Sequence, residues 1–456
     1  MSATRYGYAA LARLAWPVVL SRSAQAVVGF SDALMTASLG EDALAATTAG
    51  SMNIMCLAIL PIGTAYIVQS FASQLSGRGD LVGARRYGWY GLVLAALAGL
   101  LFAALAPGVG PVLEHLHYDP AVKVAMRDYL TIRLISVAAI VGIEVVGNWY
   151  AGLGNTRFAM VAALLTMVCN VALNWMLIGG NAGFEAMGVR GAAWASVLAS
   201  VVGFALLLIL FLAKRGIPPA DGPAAATEPP KPVLVEFGRM LRFGIPNGLN
   251  WFLEFAAFMF FVNVVVADLG TVATAALLAT VQVNSVSFMP AFGLSSAGAI
   301  LVGKAIGSDR RDEVSAILGR TLRTTCAWQL SVGAAYLLFP ASIMGLFAPE
   351  GAGDSAEIVA VGATALALSA AWQLFDAITM SVSETLRAAG DTAFSLYARL
   401  AAAWLLFVPG SVLAITVGGG GPNAAILAVV AYLAVLSVVM GWRFRTGAWR
   451  RIDLTG

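Results

Sequence analysis

Long apolar stretches separated by short polar segments form the dominant pattern of this 456-residue chain. A helix that crosses the hydrocarbon core of a membrane needs about 20 mostly apolar residues. We therefore predict an all-α polytopic membrane protein. Its twelve predicted spans are 9–38, 43–73, 87–109, 127–149, 158–180, 190–213, 239–268, 272–303, 316–340, 357–386, 394–417 and 423–445.

The two halves of the chain repeat the same landmarks. Pro17 and Pro246 are 229 residues apart, and Gly154 and Gly390 are 236 apart. Further pairs are Leu39-Gly40 with Leu269-Gly270, Pro61 with Pro290, and Gly77 with Gly307. We predict two pseudo-symmetric six-helix lobes at 1–213 and 236–456, joined by a proline-rich cytoplasmic linker at 214–235. Duplicated bundles of this kind are common in secondary transporters, which bind substrate between the repeats.

Composition and charge support this interpretation. The chain is 60% hydrophobic and 11% charged, whereas a soluble domain carries about 25% charged residues. Most of the 27 Lys and Arg residues lie in the loops on the side that holds both termini, which predicts cytoplasmic termini by the positive-inside rule. The net charge of +3 gives no reason to expect nucleic-acid binding.

Acidic residues within the predicted spans are the first candidates for chemistry. A charge near the bilayer centre costs about 2.5–3.5 kcal/mol, so it is expected to face protein or water and to have a use. Glu254 lies near the midpoint of its span with no basic residue within two helical turns, and Asp376 is also deep in its span. Either carboxyl group could exchange a proton or bind Na⁺. Asp32 lies in the first span, and Asn170 and Asn174, spaced to share a helix face, are expected beside it.

Each of these groups also has a purely structural interpretation. A buried acid or amide can simply hold two helices together by hydrogen bonds. Glu384 is one turn from Arg387 and is expected to pair with it, while Arg22, Arg133 and Glu144 are expected to stabilise the bundle.

Motifs that resemble enzyme sites lack the residues or the structural context that those sites require. Gly298–Ala305 has the spacing of a phosphate-binding loop but lacks its Ser or Thr and follows no strand. We expect no enzymatic activity, no cofactor, and no metal other than Na⁺ at the acids.

Several segments resemble multidrug and toxin extrusion (MATE) transporters, most of all their NorM-like branch. They are 27–40, 152–157, 170–174, 244–248 with Glu254, and 386–392. The resemblance implies a V-shaped pair of lobes that exports cationic, lipophilic drugs by alternating access, in exchange for Na⁺ or H⁺. It also implies that Asp32, Glu254 and Asp376 bind the coupling cation, with Asn170 and Asn174 as auxiliary polar groups.

An organic cation is attracted by aromatic faces as well as by acids. We expect Phe30, Trp251, Phe255 and Phe288 in the substrate cavity. The other expectations are a multi-pass protein of a bacterial inner membrane, in contact with lipids and working as a monomer.

Other functions remain open from the sequence. A lipid-linked oligosaccharide flippase of the same superfamily predicts a cationic cavity, whereas the charge within these spans is mainly acidic. Another transporter with two six-helix halves, such as a major-facilitator protein, does not predict paired Gly-Asn-Thr and Gly-Asp-Thr motifs. A channel or an intramembrane enzyme requires a filter or a nucleophile–base pair, and we find neither.

Overall fold

Twelve long helical segments make up the fold. The computed structural model describes residues 6–116, 118–217, 231–346 and 355–455, so 218–230 of the predicted linker lie outside the described residues. Within them the segments are α1 Tyr8–Ala37, α2 Glu41–Arg78, α3 Leu81–Glu114, α4 Pro120–Gly152, α5 Arg157–Gly179, α6 Gly188–Leu212, α7 Val233–Leu269, α8 Thr271–Gly307, α9 Val314–Leu338, α10 Ala356–Ala388, α11 Thr392–Val417 and α12 Pro422–Arg445.

These segments confirm the predicted all-α fold of twelve spans. In the described part of the chain, 10 helices are long and apolar enough to cross a membrane, which covers every segment except α1 and α9. Those two have 30 and 25 residues, long enough to span, but carry more polar side chains, among them Arg22 and Asp32 in α1.

Several helices begin earlier than predicted. The span predicted at 87 begins at Leu81, and the one predicted at 127 begins at Pro120. The added turns contain charged residues such as Arg85 and Lys123. An apolar window finds only the part of a helix that lies in hydrocarbon, and the helix continues beyond it into polar surroundings.

The chain packs into two compact units. The N-terminal unit is Leu20–Gly248, and the C-terminal unit is Leu249–Gly456 with Met1–Val19. The divisions fall within α1 and α7, shortly after Pro17 and Pro246, which lie inside these helices. A proline within a helix removes one backbone hydrogen bond and favours a bend. The lobe boundaries at 213 and 236 describe the sequence repeats and stay a prediction.

Paired glycines give the two repeats the same turn before their fifth helix. Gly154, between α4 and α5, has a φ of 91°, and Gly390, between α10 and α11, has a φ of 89°. Glycine adopts this left-handed conformation without the steric cost that a Cβ atom imposes. At this turn, the two repeats therefore share a backbone conformation as well as a sequence motif.

Each unit has its own apolar core. In the N-terminal unit, the Trp149 ring packs edge-on against Phe211 at 4.8 Å and donates a hydrogen bond to the Ala84 carbonyl at 2.7 Å. In the C-terminal unit, a cluster of Val283, Tyr336, Met344 and Leu366 joins α8, α9 and α10. Wide turns interrupt α7 at Phe261–Val266 and α11 at Ala402–Phe407, where π-helical hydrogen bonding replaces the α-helical pattern.

Candidate functional site

The N-terminal unit holds Asp32 in a ring of neutral polar groups. Asn174 Nδ2 donates to Asp32 Oδ1 at 2.5 Å and also to Asn170 Oδ1 at 3.2 Å. Ser196, on α6, donates to Asp32 Oδ2 at 3.4 Å and accepts from Asn170 Nδ2 at 3.2 Å. The structure therefore brings together the three residues that the sequence predicted and adds Ser196.

The acid is more exposed than the groups that support it. Asn170 and Asn174 are fully buried, at 1% and 0% exposure, whereas Asp32 is half-buried. The charge of Arg133 also acts on Asp32. Rigid amides behind a reachable carboxylate make a site that can exchange a small cation or a proton, because the acid is oriented but still accessible.

A second charged group in this unit is already neutralised. Arg22 donates from both terminal nitrogens to Glu144, at 2.9 Å and 3.1 Å. Asn148 Nδ2 also donates to Glu144 Oε2, at 3.2 Å. This two-pronged pair joins α1 to α4, which agrees with the predicted bundle-stabilising role.

In the C-terminal unit, Glu254 is paired with an arginine. Arg399 of α11 donates through Nη1 to Glu254 Oε1, and its Nη2 lies 3.5 Å from Ser383 Oγ. The Glu254 side chain is 37% exposed and that of Arg399 only 13%. Glu254 has no basic residue within two helical turns of its own helix, but the structure supplies a basic partner from a helix 145 residues further along the chain.

Asp376 of α10 lies in the same charged cluster. Its Oδ2 accepts a hydrogen bond from Gln329 Nε2 at 3.3 Å, and Gln329 is 1% exposed. Asp376 interacts electrostatically with both Glu254 and Arg399. The two predicted acids thus belong to one cluster, to which the structure adds Arg399 and Gln329.

The added residues gave little signal in the sequence. Arg399 lies only seven residues into α11 and resembles a residue of the membrane edge. Ser196 and Gln329 are uncharged polar residues within helices, and such residues usually serve as interhelical hydrogen-bonding groups. Only their contacts with the acids distinguish them.

Near the end of α10, Glu384 and Arg387 form the pair that the sequence predicted. Arg387 Nη2 donates to Glu384 Oε2 at 2.5 Å, and its Nε donates to Oε1 at 3.2 Å. Both residues are buried. Their mutual neutralisation makes this a structural pair.

The predicted aromatic residues are divided between the units. Phe30 belongs to the N-terminal unit and is 70% exposed. In the C-terminal unit, Phe292 connects Trp251, edge-on at 6.5 Å, with Phe288, stacked at 6.0 Å. Phe255 is half-buried on α7. A mixed aromatic and acidic surface is suited to a lipophilic cation.

A duplicated bundle of membrane helices with acid clusters inside its spans defines a polytopic membrane transporter. The MatE family model matches residues 17–176 and 246–413, one segment in each repeat, and the chain belongs to this family. The two matched segments begin at Pro17 and Pro246, the residues that first aligned the repeats. The resemblance read from the sequence is confirmed.

Similar proteins support the assignment along nearly the whole chain. A probable multidrug resistance protein NorM of Rhizobium meliloti (strain 1021) is 27% identical over 94% of this chain and 91% of its own length. A probable NorM of Thermotoga maritima is 24% identical over 97% of this chain and 93% of its own length.

Solved structures share the fold. A MOP superfamily transporter from Pyrococcus furiosus matches with a TM-score of 0.86 and 21% identity, covering 97% of this chain and 96% of its own. An outward-facing multidrug resistance MATE transporter matches with a TM-score of 0.86 and 20% identity, over 97% of this chain and 96% of its own.

Proposed function

We propose that this protein is a secondary active multidrug exporter that exchanges Na⁺ or H⁺ for cationic, lipophilic drugs by alternating access. The observation that carries the proposal is the pair of acidic sites within the spans, Asp32 in the N-terminal unit and the Glu254–Asp376 cluster in the C-terminal unit. Asp32 and Asp376 are each half-buried and each accept hydrogen bonds from buried neutral amides. Relatives named multidrug resistance proteins extend along almost the whole chain.

The coupling follows from competition for the same negative charge. A drug cation and a coupling cation that both neutralise Asp32 or the Glu254–Asp376 cluster displace one another. Exchange across the membrane then requires that each ligand bind the two access states unequally, since a ligand with equal affinity for both shifts nothing. Aromatic residues such as Trp251 and Phe288 add attraction for organic cations.

The charge balance favours a cationic substrate over an anionic one. Three arginines within the spans are each bound to an acid, as Arg22–Glu144, Arg387–Glu384 and Arg399–Glu254. Paired in this way, they provide little net positive charge for a lipid-linked oligosaccharide. The charge of a further arginine, Arg133, acts on Asp32. Asp32 and Asp376 instead receive their hydrogen bonds from uncharged groups.

Orientation and location belong to the same proposal. Arg78, Arg157 and Arg443 lie at helix ends that the twelve-span order puts on one side, together with both termini. By the positive-inside rule this side is cytoplasmic, in a bacterial inner membrane. We propose a monomer as the working unit, with the coupling ion as its only inorganic ligand.

Exchange in a defined membrane tests this function. Purified protein in proteoliposomes should accumulate a fluorescent lipophilic cation such as ethidium when a Na⁺ or pH gradient is imposed, and the rate should saturate with ethidium concentration. Imposing each gradient alone identifies the coupling ion. Ethidium flux that ignores both gradients and does not saturate would instead indicate a channel.

A further inference from the structure

Three charged side chains from three helices meet in the C-terminal unit. Glu254 is on α7, Asp376 on α10 and Arg399 on α11, and all three interact electrostatically. With every group ionised, two acids and one base leave a single negative charge. Among the described residues, the other polar groups that interact with them are Gln329, Ser383 and the Tyr432 hydroxyl, and none of these is charged near neutral pH.

We propose that Arg399 is a built-in counter-ion that limits these two acids to one exchangeable positive charge. The proposal rests on the coupling function proposed above and specifies its stoichiometry in this unit. One proton, one Na⁺ or one singly charged drug neutralises the cluster. Two adjacent carboxylates without the arginine would hold two negative charges and would require two.

The geometry supports a fixed charge at Arg399. Its guanidinium is 13% exposed, donates to Glu254, and has Ser383 Oγ 3.5 Å away from Nη2. A guanidinium stays protonated in proteins, so its charge is permanent through a transport cycle. Its Nε is buried and has no hydrogen-bond acceptor within the described residues, which leaves a donor available to a neighbouring carboxylate.

The N-terminal unit provides an internal comparison. Asp32 is there a single acid that accepts hydrogen bonds from an amide and a hydroxyl, and the charge of Arg133 acts on it. Arg22, on its own helix, is bound to Glu144. The donors that contact Asp32 are uncharged, whereas Glu254 is bound directly by an arginine. The C-terminal unit, with two acids, has Arg399 as the counter-ion.

Counting protons tests the proposal without measuring transport. Potentiometric titration of purified protein between pH 5 and 8, minus that of the Glu254→Gln/Asp376→Asn double variant, counts the protons taken up by the cluster. We expect about one proton for the wild type and for Arg399→Lys, and about two for Arg399→Gln, because each uncompensated carboxylate must be neutralised.

Variants that keep Arg399 make the test independent of how well Arg399→Gln folds. Glu254→Gln alone should take up close to zero protons, since Arg399 then neutralises the remaining Asp376. Adding Arg399→Gln to that variant should restore uptake to about one. A merely structural role for Arg399 predicts one proton for Glu254→Gln with or without the arginine, and that result would overturn the proposal.

The outcomes also separate this proposal from the proposed function. If the proton counts are as expected but no gradient-driven ethidium exchange occurs, the counter-ion proposal stands and the antiporter function is wrong. Gradient-driven exchange with two protons bound by the wild-type cluster would retain the antiporter and refute the counter-ion.

Discussion

Individual residues hold the charges of the two units in different ways. Asp32 is oriented by uncharged amides, whereas Glu254 is held by a guanidinium. Arg22 and Glu144 form a third arrangement, a pair in which each charge satisfies the other. Removing one partner of a buried pair leaves an uncompensated charge, so these residues differ in what their substitution should do.

Breaking the Arg22–Glu144 pair should destabilise the protein. We expect Arg22→Gln to cost about 3–5 kcal/mol of unfolding free energy, because Glu144 is then left as a buried, unpaired charge. Thermal unfolding of the detergent-solubilised protein measures the effect. Removing both charges in Arg22→Met/Glu144→Met should recover most of the loss.

The Arg190–Asp128 pair is a matched control. Its N–O distance is 2.8 Å, similar to the 2.9 Å of Arg22–Glu144, but its side chains are 62% and 33% exposed. Arg190→Gln should therefore leave the stability almost unchanged, because solvent screens an exposed ion pair. Equal losses for the two arginine variants would contradict the assignment of Arg22 to a buried structural pair.

Removing the amide that orients Asp32 should change how tightly this acid holds the coupling cation. Asn174→Ala deletes a hydrogen bond to a charged group, worth about 1.5–3 kcal/mol. If the coupling ion is H⁺, we expect the H⁺ concentration for half-maximal ethidium exchange to fall about tenfold or more, because the deleted donor stabilises the ionised carboxylate. Asn181→Ala, just after the same helix, should leave this concentration unchanged. A similar shift in the two variants would contradict a role for Asn174 in the site.

The sequence was sufficient for the acids but not for their partners. Spacing placed Asn170 and Asn174 on one helix face, and resemblance connected that face with Asp32. Nothing local connected Glu254 with Arg399, because α7 and α11 meet only through the tertiary packing of the C-terminal unit. The absence of a basic residue near an acid in the sequence is therefore weak evidence that the acid has no basic partner in the folded protein.

At the scale of elements, the helices lie where the apolar pattern predicts them, and glycine residues mark the turns that need a left-handed conformation. Every predicted span has a counterpart in the structure, and the differences are extra polar turns at helix ends. The paired turns at Gly154 and Gly390 have the same left-handed conformation. A pattern read at the residue level thus predicts both the helices and the turn that recurs between them.

A Cβ atom at Gly154 should be unfavourable for conformational reasons alone. We expect Gly154→Ala to cost about 1–2 kcal/mol, since its φ of 91° is strained for an L-residue. Gly238 lies within α7, and an added Cβ there meets nothing within 4 Å. Gly238→Ala should therefore stabilise the helix by up to about 1 kcal/mol. Chemical denaturation of both variants in the same detergent compares them; loss of stability at Gly238 alone would contradict this account.

For the whole molecule, the sequence predicted a duplicated bundle, and the structure has two compact units whose divisions lie near the duplicated prolines. The family match repeats the same division, with one segment beginning at each proline. What the duplication does not repeat is charge. At the repeat offsets of 229 and 236, Gln25 corresponds to Glu254 and Ile140 to Asp376, so aligning the halves does not find these two acids.

Orientation of the molecule can be tested with single cysteines in a cysteine-free background. We expect Thr446→Cys, beside basic residues that follow α12, to react with a membrane-impermeant thiol reagent only after the inner membrane is permeabilised. Gly183→Cys, in the exposed loop between α5 and α6, should react in intact spheroplasts. The reverse pattern would place the termini outside.

The central claim is that the acids of the C-terminal unit couple drug movement to a cation gradient. Gradient-driven ethidium uptake into proteoliposomes tests it most directly, with Glu254→Gln and Asp376→Asn compared against the wild type. Asp268→Asn, at the exposed end of the same α7, is the matched control. We predict that both cluster variants lose gradient-driven uptake while Asp268→Asn keeps it; full uptake by both cluster variants would contradict the account.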